Sequence, residues 1–362
     1  MQFKSRFVMA LLVISIGVAY SPDFTIAQSN TNKQKQTVAR SKPASNQEAN
    51  KNSGKKTGNA IKVVKTTKAA KSTKKTKDVR VTVTRPTGST TGSRHSFATA
   101  MGLRGQHDEL SLQSSVAMVV NQDTNDVLFE KNTGVSLPIA SITKLMTAMV
   151  VLDSNLPLDE VIEINAEDVR SYGKSRLAAG TNLTRRDAML LALMSSENRA
   201  AYTLGRNYPG GVPAFVAVMN QKARELGMRN SRFADPTGLS SENVASADDL
   251  AKMLSASYEY KKIREYSTWP DMTMTIKNRQ QTFLNTNRLV RSGDMDIGLQ
   301  KTGFISAAGK CLVMQAKVNG SPLLLVFLDS VGTQSRFADA VRVRDWYEQM
   351  DPMDIRPLRR LM

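Results

Sequence analysis

The sequence predicts one α+β domain of about 250 residues, spanning residues 110–362, in which an antiparallel sheet carries helices on its faces. Three observations predict this class. Strand patterns occur at both ends of the region, helix patterns occur between them, and a long polar, basic stretch precedes the whole. We expect the strands at the two ends to share one sheet.

Residues 1–27 have the features of a secretory signal. Two basic residues precede the apolar stretch Phe7–Ala19, which is short for a membrane span, and small residues at Ala19 and Ala27 are candidate cleavage positions. An uncleaved anchor is the alternative. We therefore expect an exported protein that acts in the periplasm.

Residues 28–109 are predicted to be a disordered linker rich in Lys and Thr. The formal net charge of the chain is +18, of which residues 28–94 carry +15 and the chain from His95 onward only +2. With few large apolar side chains, such a linker cannot offset its ordering entropy by burial. It either binds anionic envelope polymers or lipid head groups, or is a solvated spacer. Export argues against a nucleic acid partner.

The first predicted elements are a β-hairpin and a helix. A polar turn is flanked by two segments rich in apolar residues, Ser115–Asn121 and Asp126–Glu130. This pattern is typical of two paired strands. The apolar run Leu145–Leu152 follows Pro138 and has the length of a helix.

Two capping patterns predict further helices. Thr184 and Asp187 form a capping box before the apolar segment Ala188–Met194, which we expect to be a buried helix. Ser246 and Asp249 cap another helix that ends near residue 258.

The remaining elements lie in the second half of the chain. Val212–Leu226 is predicted to be an amphipathic helix. Glycine and Asn-Gly turns then separate three antiparallel strands, Ile297–Thr302, Cys311–Val318 and Leu323–Asp329. The chain is expected to close with a helix from about Thr333 to Met350.

Ser141 and Lys144 are the candidate nucleophile and base. Three residues make about one helical turn, so their side chains lie on one side, and a desolvated neutral lysine can activate a serine. The same spacing recurs at three other pairs, Ser53/Lys56, Ser72/Lys75 and Ser171/Lys174. Two of these lie in the linker, and no apolar helix follows the third.

The chain has few histidines and cysteines, which supports Lys144 as the base and argues against a disulfide or a zinc site. The two histidines, His95 and His107, precede the first predicted strand, which argues against a Ser-His-Asp triad. Cys311 is the single cysteine, so no intrachain disulfide forms, and no zinc-ligand spacing occurs. We expect no metal and no cofactor.

Two later motifs offer the other groups that acyl transfer needs. Ser196-Glu197-Asn198 follows the buried helix, where Ser196 can pass a proton and Asn198 can hold Lys144 or a substrate amide. Lys301-Thr302-Gly303 ends a predicted strand, where Lys301 supplies charge for a carboxylate and Gly303 permits close backbone approach. Lookalikes occur at Ser241-Glu242-Asn243 and Lys56-Thr57-Gly58.

The ordered set of three motifs resembles the penicillin-recognising serine enzymes, because Ser-x-Asn follows the nucleophile by about 55 residues and Lys-Thr-Gly follows by about 105 more. Between Ser114 and Met350 the chain is similar to low-molecular-mass penicillin-binding proteins, and most similar to D-alanyl-D-alanine endopeptidases. The resemblance rests on Ala140–Ala148, Ser196–Ala201, Asp235–Leu239, Ala247–Leu250 and Lys301–Phe304. It implies the serine transpeptidase-like, β-lactamase-like fold.

The resemblance also implies a role for each residue. Ser141 would attack the D-Ala carbonyl and form an acyl-enzyme, Lys144 would be its base, and Ser196 and Asn198 would be the second polar element.

Substrate binding is implied for the residues of the Lys-Thr-Gly strand, Gly303 included. Lys301 and Thr302 would hold a substrate carboxylate, and the backbone N–H groups of Ser141 and Phe304 would form the oxyanion hole. Peptidoglycan cross-links would be the substrate, and β-lactams would be trapped as acyl-enzymes.

Four functions remain to be weighed. Carboxypeptidases of the family carry a further domain and an anchor helix, and only about 30 residues follow Asp329, so we expect the endopeptidase over the carboxypeptidase. A class A β-lactamase needs another glutamate, and no convincing Glu-x-x-Leu-Asn pattern separates Asn198 from Lys301. A non-catalytic wall-binding protein is disfavoured because every catalytic side chain is present.

Overall fold

The described part of the chain begins before the predicted domain boundary. A computed structural model describes residues 95–171, 175–351 and 356–362, which all belong to the unit Arg85–Met362. The expected signal sequence and residues 28–94 of the linker lie outside the described residues. The helix Phe97–Ala100, with Ala98 buried, lies 10 residues or more upstream of the boundary predicted at residue 110.

Helices and short strands separate the long strands of the two ends. In chain order the described elements are α1 (Phe97–Ala100), β1 (Ser114–Asn121), β2 (Asp126–Lys131), β3 (Leu137–Pro138), a 3-10 turn (Ala140–Thr143), α2 (Lys144–Asp153), β4 (Val161–Ile164), α3 (Ala166–Ser171), β5 (Thr181–Thr184), α4 (Arg185–Met194), α5 (Asn198–Arg206), α6 (Gly211–Glu225), β6 (Val244–Ala245), α7 (Ala247–Tyr258), α8 (Lys261–Ser267), β7 (Asp271–Ile276), β8 (Arg279–Leu284), α9 (Arg288–Ser292), β9 (Asp296–Ile305), β10 (Gly309–Val318), β11 (Ser321–Ser330), α10 (Ser335–Gln349) and β12 (Arg359–Arg360).

The strands from the two ends share one antiparallel sheet, as predicted. Its order is β12-β2-β1-β11-β10-β9, so that β1 lies beside β11 with Val119 opposite Leu325. The outer strand β12 was not predicted, because its two residues show no strand pattern; Arg359 pairs with Val127 of β2. At the other edge, β9 has β10 as its one partner among the described strands.

Both faces of this sheet are covered, which explains the almost continuous apolar composition of its central strands. Val116 and Met118 of β1 belong to the core on one face, where α7 packs on the sheet and α2 lies among the other helices. Ala117 and Val119 point to the opposite core, which α10 covers with side chains such as Phe337. The period of two in a strand thus fills two cores at once. Along the described residues, no helix has the length and apolar content to cross a bilayer.

The predicted helix caps are confirmed by hydrogen bonds. The backbone N–H of Asp187 donates to Thr184 Oγ1 over 3.0 Å at the start of α4. The N–H of Asp249 donates to Ser246 Oγ over 3.3 Å at the start of α7. α6 ends two residues before Gly227, whose φ of 68° lies in the left-handed region where glycine is favoured.

Two local predictions differ from the structure at positions that matter for the site. Ser141 lies in the 3-10 turn that precedes α2 rather than in the helix itself. The strand predicted to end at Thr302 continues to Ile305, because Gly303 and Phe304 keep pairing with β10 opposite Cys311 and Lys310. The Lys-Thr-Gly triplet therefore lies inside a strand.

Candidate active site

Ser141 is held by a close contact between backbones. The preceding residue, Ala140, has a φ of 49°, an unfavourable conformation for a side chain with a Cβ. Gly238, with a φ of 82°, presses against this turn so closely that an added Cβ would lie 1.9 Å from the Ala140 carbonyl oxygen. Only glycine fits there, and it fixes the turn that presents the Ser141 hydroxyl.

Gly303 lets strand β9 approach the turn at Ser141 closely. A Cβ at this position would lie 2.9 Å from the Ile139 carbonyl oxygen and 3.2 Å from the Ser141 nitrogen. The close approach predicted for Gly303 is thus an approach to the Ser141 turn. It brings the strand that carries Lys301 and Thr302 directly beside the nucleophile.

Lys144 forms the centre of a buried hydrogen-bond network. Its Nζ lies 2.8 Å from Ser141 Oγ, 2.7 Å from Asn198 Oδ1 and 2.7 Å from the Thr237 carbonyl oxygen. The side chain is fully buried. The structure therefore brings together three of the predicted catalytic residues, and it adds a backbone carbonyl that the sequence did not predict.

Burial makes the Lys144 amine a base near neutral pH. Desolvation lowers the pKa of Lys144 to about 7, although the negative charges of Asp235 and Glu197 oppose this change. An ordinary lysine is protonated at neutral pH and has no lone pair to accept a proton. The lowered pKa gives Lys144 a neutral form that is populated near neutral pH.

The three acceptors around Lys144 suit either protonation state. In the ammonium form its three N–H groups donate to Ser141 Oγ, Asn198 Oδ1 and the Thr237 oxygen. In the neutral form the two N–H groups donate to Asn198 Oδ1 and the Thr237 oxygen, and the lone pair faces the Ser141 hydroxyl. The amine can therefore take the hydroxyl proton without moving.

Asp235 holds the carbonyl that Lys144 uses. Its Oδ1 accepts the backbone N–H of Thr237 over 2.5 Å and of Gly238 over 2.8 Å. Its Oδ2 accepts the N–H of Ser240 over 2.9 Å and an N–H of Asn243 over 3.2 Å. The segment Asp235–Leu239 contributed to the family resemblance, and in the structure it fixes the Thr237 carbonyl that accepts a hydrogen bond from Lys144.

Ser196 and Lys301 form a second pair across the site. Ser196 has a φ of 61°, which is strained for a serine. Lys301 Nζ donates to Ser196 Oγ over 2.9 Å and to the Thr302 carbonyl over 2.9 Å. Burial, followed by the charges of Lys144 and Arg336, lowers the pKa of Lys301 well below its usual value. An arriving carboxylate would supply the missing counter-charge and favour the ammonium.

Two further polar residues border the site and were not predicted. Thr286 Oγ1 lies 2.6 Å from Thr302 Oγ1. Arg336 of α10 donates to the Gly303 carbonyl over 2.8 Å and to the Cys311 carbonyl over 3.1 Å. Neither residue belongs to a recognisable local motif, so only the folded chain brings them to the site.

These groups meet in an open cleft of about 250 Å³. Its lining within the described chain contains no histidine and consists of Ser141, Ser196, Asn198, Leu239, Thr286, Thr302, Gly303, Phe304 and Arg336. The predicted nucleophile Ser141, the predicted relay Ser196 and the predicted carboxylate-binding residue Thr302 thus face one space, while Lys144 and Lys301 are fully buried and do not line it.

The lookalike motifs have other positions. Ser171 ends α3, and its partner Lys174 lies outside the described residues. Ser241 is exposed, whereas Asn243 is buried and holds the Asp235 loop. Cys311 is fully buried and burial raises its pKa to about 11, so it is not a reactive thiolate.

Comparisons with known proteins agree with this geometry. A family model described as D-alanyl-D-alanine carboxypeptidase, peptidase S11, matches residues 103–332. The chain is 50% identical over 241 residues to a D-alanyl-D-alanine endopeptidase of Pseudomonas aeruginosa, covering 66% of this chain and 78% of the relative. It is 47% identical over 241 residues to a D-alanyl-D-alanine endopeptidase of Escherichia coli, with the same coverage of 66% and 78%.

A solved structure shares the fold. The Streptomyces K15 DD-transpeptidase aligns with a TM-score of 0.61 and 27% identity, covering 65% of this chain and 97% of that one. The α+β class predicted from the strand and helix patterns is confirmed. The chain belongs to the S11 family of serine D-alanyl-D-alanine peptidases.

Proposed function

We propose that this protein is a serine D-alanyl-D-alanine endopeptidase that hydrolyses D-Ala–diaminopimelate cross-links of peptidoglycan. The observation that carries the proposal is the buried Lys144 amine, bonded to both Ser141 and Asn198 beside a cleft that also holds Ser196. The names of the two relatives favour an endopeptidase. The family as a whole is described as D-alanyl-D-alanine carboxypeptidase, which keeps the carboxypeptidase as the second candidate.

Acylation begins with the neutral Lys144 amine. It takes the Ser141 hydroxyl proton while Oγ attacks the D-Ala carbonyl carbon, and the carbonyl oxygen becomes an oxyanion. The backbone N–H groups of Ser141 and Phe304, which border the same cleft, are the proposed donors to that oxyanion.

Cleavage then requires a proton on the leaving nitrogen. Ser196, which lines the cleft, is the proposed relay: its hydroxyl gives its hydrogen to the leaving nitrogen and takes the proton that Lys144 holds, so that Lys144 becomes neutral. Lys301 Nζ already donates to Ser196 Oγ, so the Ser196 hydrogen remains free to donate onward. The amine leaves, and the acyl group stays on Ser141.

Hydrolysis repeats these steps with water as the nucleophile. Lys144, neutral again, takes a proton from the water that attacks the acyl-enzyme, and Ser141 regains its hydrogen. In this scheme a β-lactam would acylate Ser141 by the same first step. Lys301 and Thr302 would hold the carboxylate next to the bond that breaks, by charge and by hydroxyl donation.

Removing the base should slow acylation with the fold retained. For Lys144→Arg and Lys144→Ala we predict that acylation by a fluorescent penicillin falls by about 10²–10⁴-fold, the usual contribution of a general base. Arginine preserves the charge and much of the volume, but it does not deprotonate.

Ser141→Ala should show no acylation and therefore gives the background signal. Lys222→Ala, in helix α6, is the matched lysine control. Circular dichroism and thermal unfolding check the fold of each variant. Acylation of a folded Lys144→Arg protein at the wild-type rate would show that another group is the base.

The products from purified sacculi test the reaction itself. Digestion followed by mass spectrometry should show loss of dimeric muropeptides and an equal gain of monomers, because the cross-link is the bond that breaks. Ser141→Ala is the control. Loss of terminal D-Ala from monomers with intact dimers would identify a carboxypeptidase instead.

The basic linker is the proposed contact with the wall. Its +15 charge between residues 28 and 94 suits anionic envelope polymers. Deleting these residues should leave hydrolysis of soluble muropeptides unchanged and reduce the protein that sediments with sacculi, at low more than at high salt. A linker of equal length with Gln for Lys and Arg is the control; equal sedimentation of all three proteins would reduce the segment to a spacer.

A further inference from the structure

A lysine without a counter-ion lies next to the end of the substrate strand. Lys310 of β10 is paired with Phe304 of β9, so the two side chains share one face of the sheet. The Lys310 ammonium lies 3.8 Å from the centre of the Phe304 ring. The ring itself borders the cleft and is 54% exposed.

The charge of Lys310 is uncompensated. No carboxylate lies within ion-pair distance of its Nζ in the portion of the chain that the structure describes. Burial, followed by the positive charge of the Arg336 guanidinium, lowers the pKa of Lys310. Two cations therefore adjoin this end of the cleft, and an anionic ligand would relieve their repulsion.

The direction of β9 tells which part of the substrate reaches Lys310. In the proposed reaction the leaving residue places its carboxylate at Lys301 and Thr302, and the cleaved carbonyl lies at the Phe304 N–H. A substrate that follows the strand edge at about 3.3 Å per residue then continues past Phe304 with its acyl side. The residue that precedes the cleaved D-Ala therefore lies about one position beyond Phe304, where a long side chain can reach back to the Phe304 ring and to Lys310.

We propose that Phe304 and Lys310 form a subsite for the side chain of the residue that precedes the cleaved D-Ala, and that this subsite selects a side chain ending in a carboxylate. The inference rests on the proposed function. Both stems of a cross-link are copies of one peptide, so in the proposed substrate this residue is diaminopimelate.

The two groups match the two parts of that side chain. Its methylene chain can pack on the exposed Phe304 ring, and its terminal carboxylate can reach the Lys310 ammonium. A stem that carries lysine at this position ends in a bare ammonium, which Lys310 and Arg336 repel. The subsite therefore attracts one type of stem and rejects the other.

Acylation by two penicillins with one nucleus tests this selectivity. In one penicillin the acylamino chain ends in an amino carboxylate, as diaminopimelate does, and in the other it has the same length and ends in the amine alone. The ratio of their acylation rates on Ser141 isolates the contribution of the carboxylate. It is measured for the full chain and for Lys310→Gln, Lys310→Arg and Lys317→Gln.

Wild type should favour the carboxylate probe, and Lys310→Gln should lower the ratio by about five- to tenfold, as expected for a partly exposed charged hydrogen bond. Lys310→Arg should keep the preference because it keeps the charge. Lys317→Gln should match wild type, since Lys317 is exposed near the opposite end of β10.

An equal rate for both probes on wild type would overturn the inference. So would an unchanged ratio in a Lys310→Gln protein that is still acylated. Absence of labelling by either penicillin is a different result: it would remove the proposed function, and the inference with it.

Discussion

The desolvated Lys144 amine is the group on which the rest of the site depends. A lysine can serve as a base only where water is excluded, and α2 begins with this residue fully buried beneath the cleft. Burial alone would be costly, so every hydrogen-bonding position of the amine has a partner: Ser141, Asn198 and the Thr237 carbonyl. These partners come from three separate segments, and the fold serves to bring them together.

Contacts between backbones hold those segments in place. Gly238 and Gly303 pack against the turn at Ala140, where no Cβ would fit without displacement of an atom. Asp235 then fixes the loop that carries Gly238 and Thr237. The strained φ values of Ala140 and Ser196 persist because this packing determines them from several sides. The Ser141 hydroxyl and the Lys144 amine, the proposed nucleophile and base, are thus held 2.8 Å apart in the free protein.

Local patterns in the sequence predict those elements that neighbouring residues in the chain determine, namely capped helices and long apolar strands. The capping hydroxyls of Thr184 and Ser246 act within one helical turn, and the long strands bury apolar side chains, so both kinds of element were predicted. The 3-10 turn at Ser141, the Thr237 carbonyl and Arg336 depend on contacts between segments distant in sequence. No periodicity encodes such contacts, and the two-residue strand β12 is too short to show one. The three motifs together predicted which side chains meet at the cleft, whereas the contacts that hold those side chains in place could not be predicted from the sequence.

A titration of Lys144 tests the account most directly. Carbon-13 labelling of the lysine Cε atoms, with the Lys144 signal assigned by its loss in Lys144→Arg, reports the protonation of this amine in the free protein. We expect a midpoint at a pH of about 7, the value to which burial lowers the pKa of Lys144. A midpoint near 10.5, the ordinary value for lysine, would leave Lys144 protonated at neutral pH and contradict its role as the base.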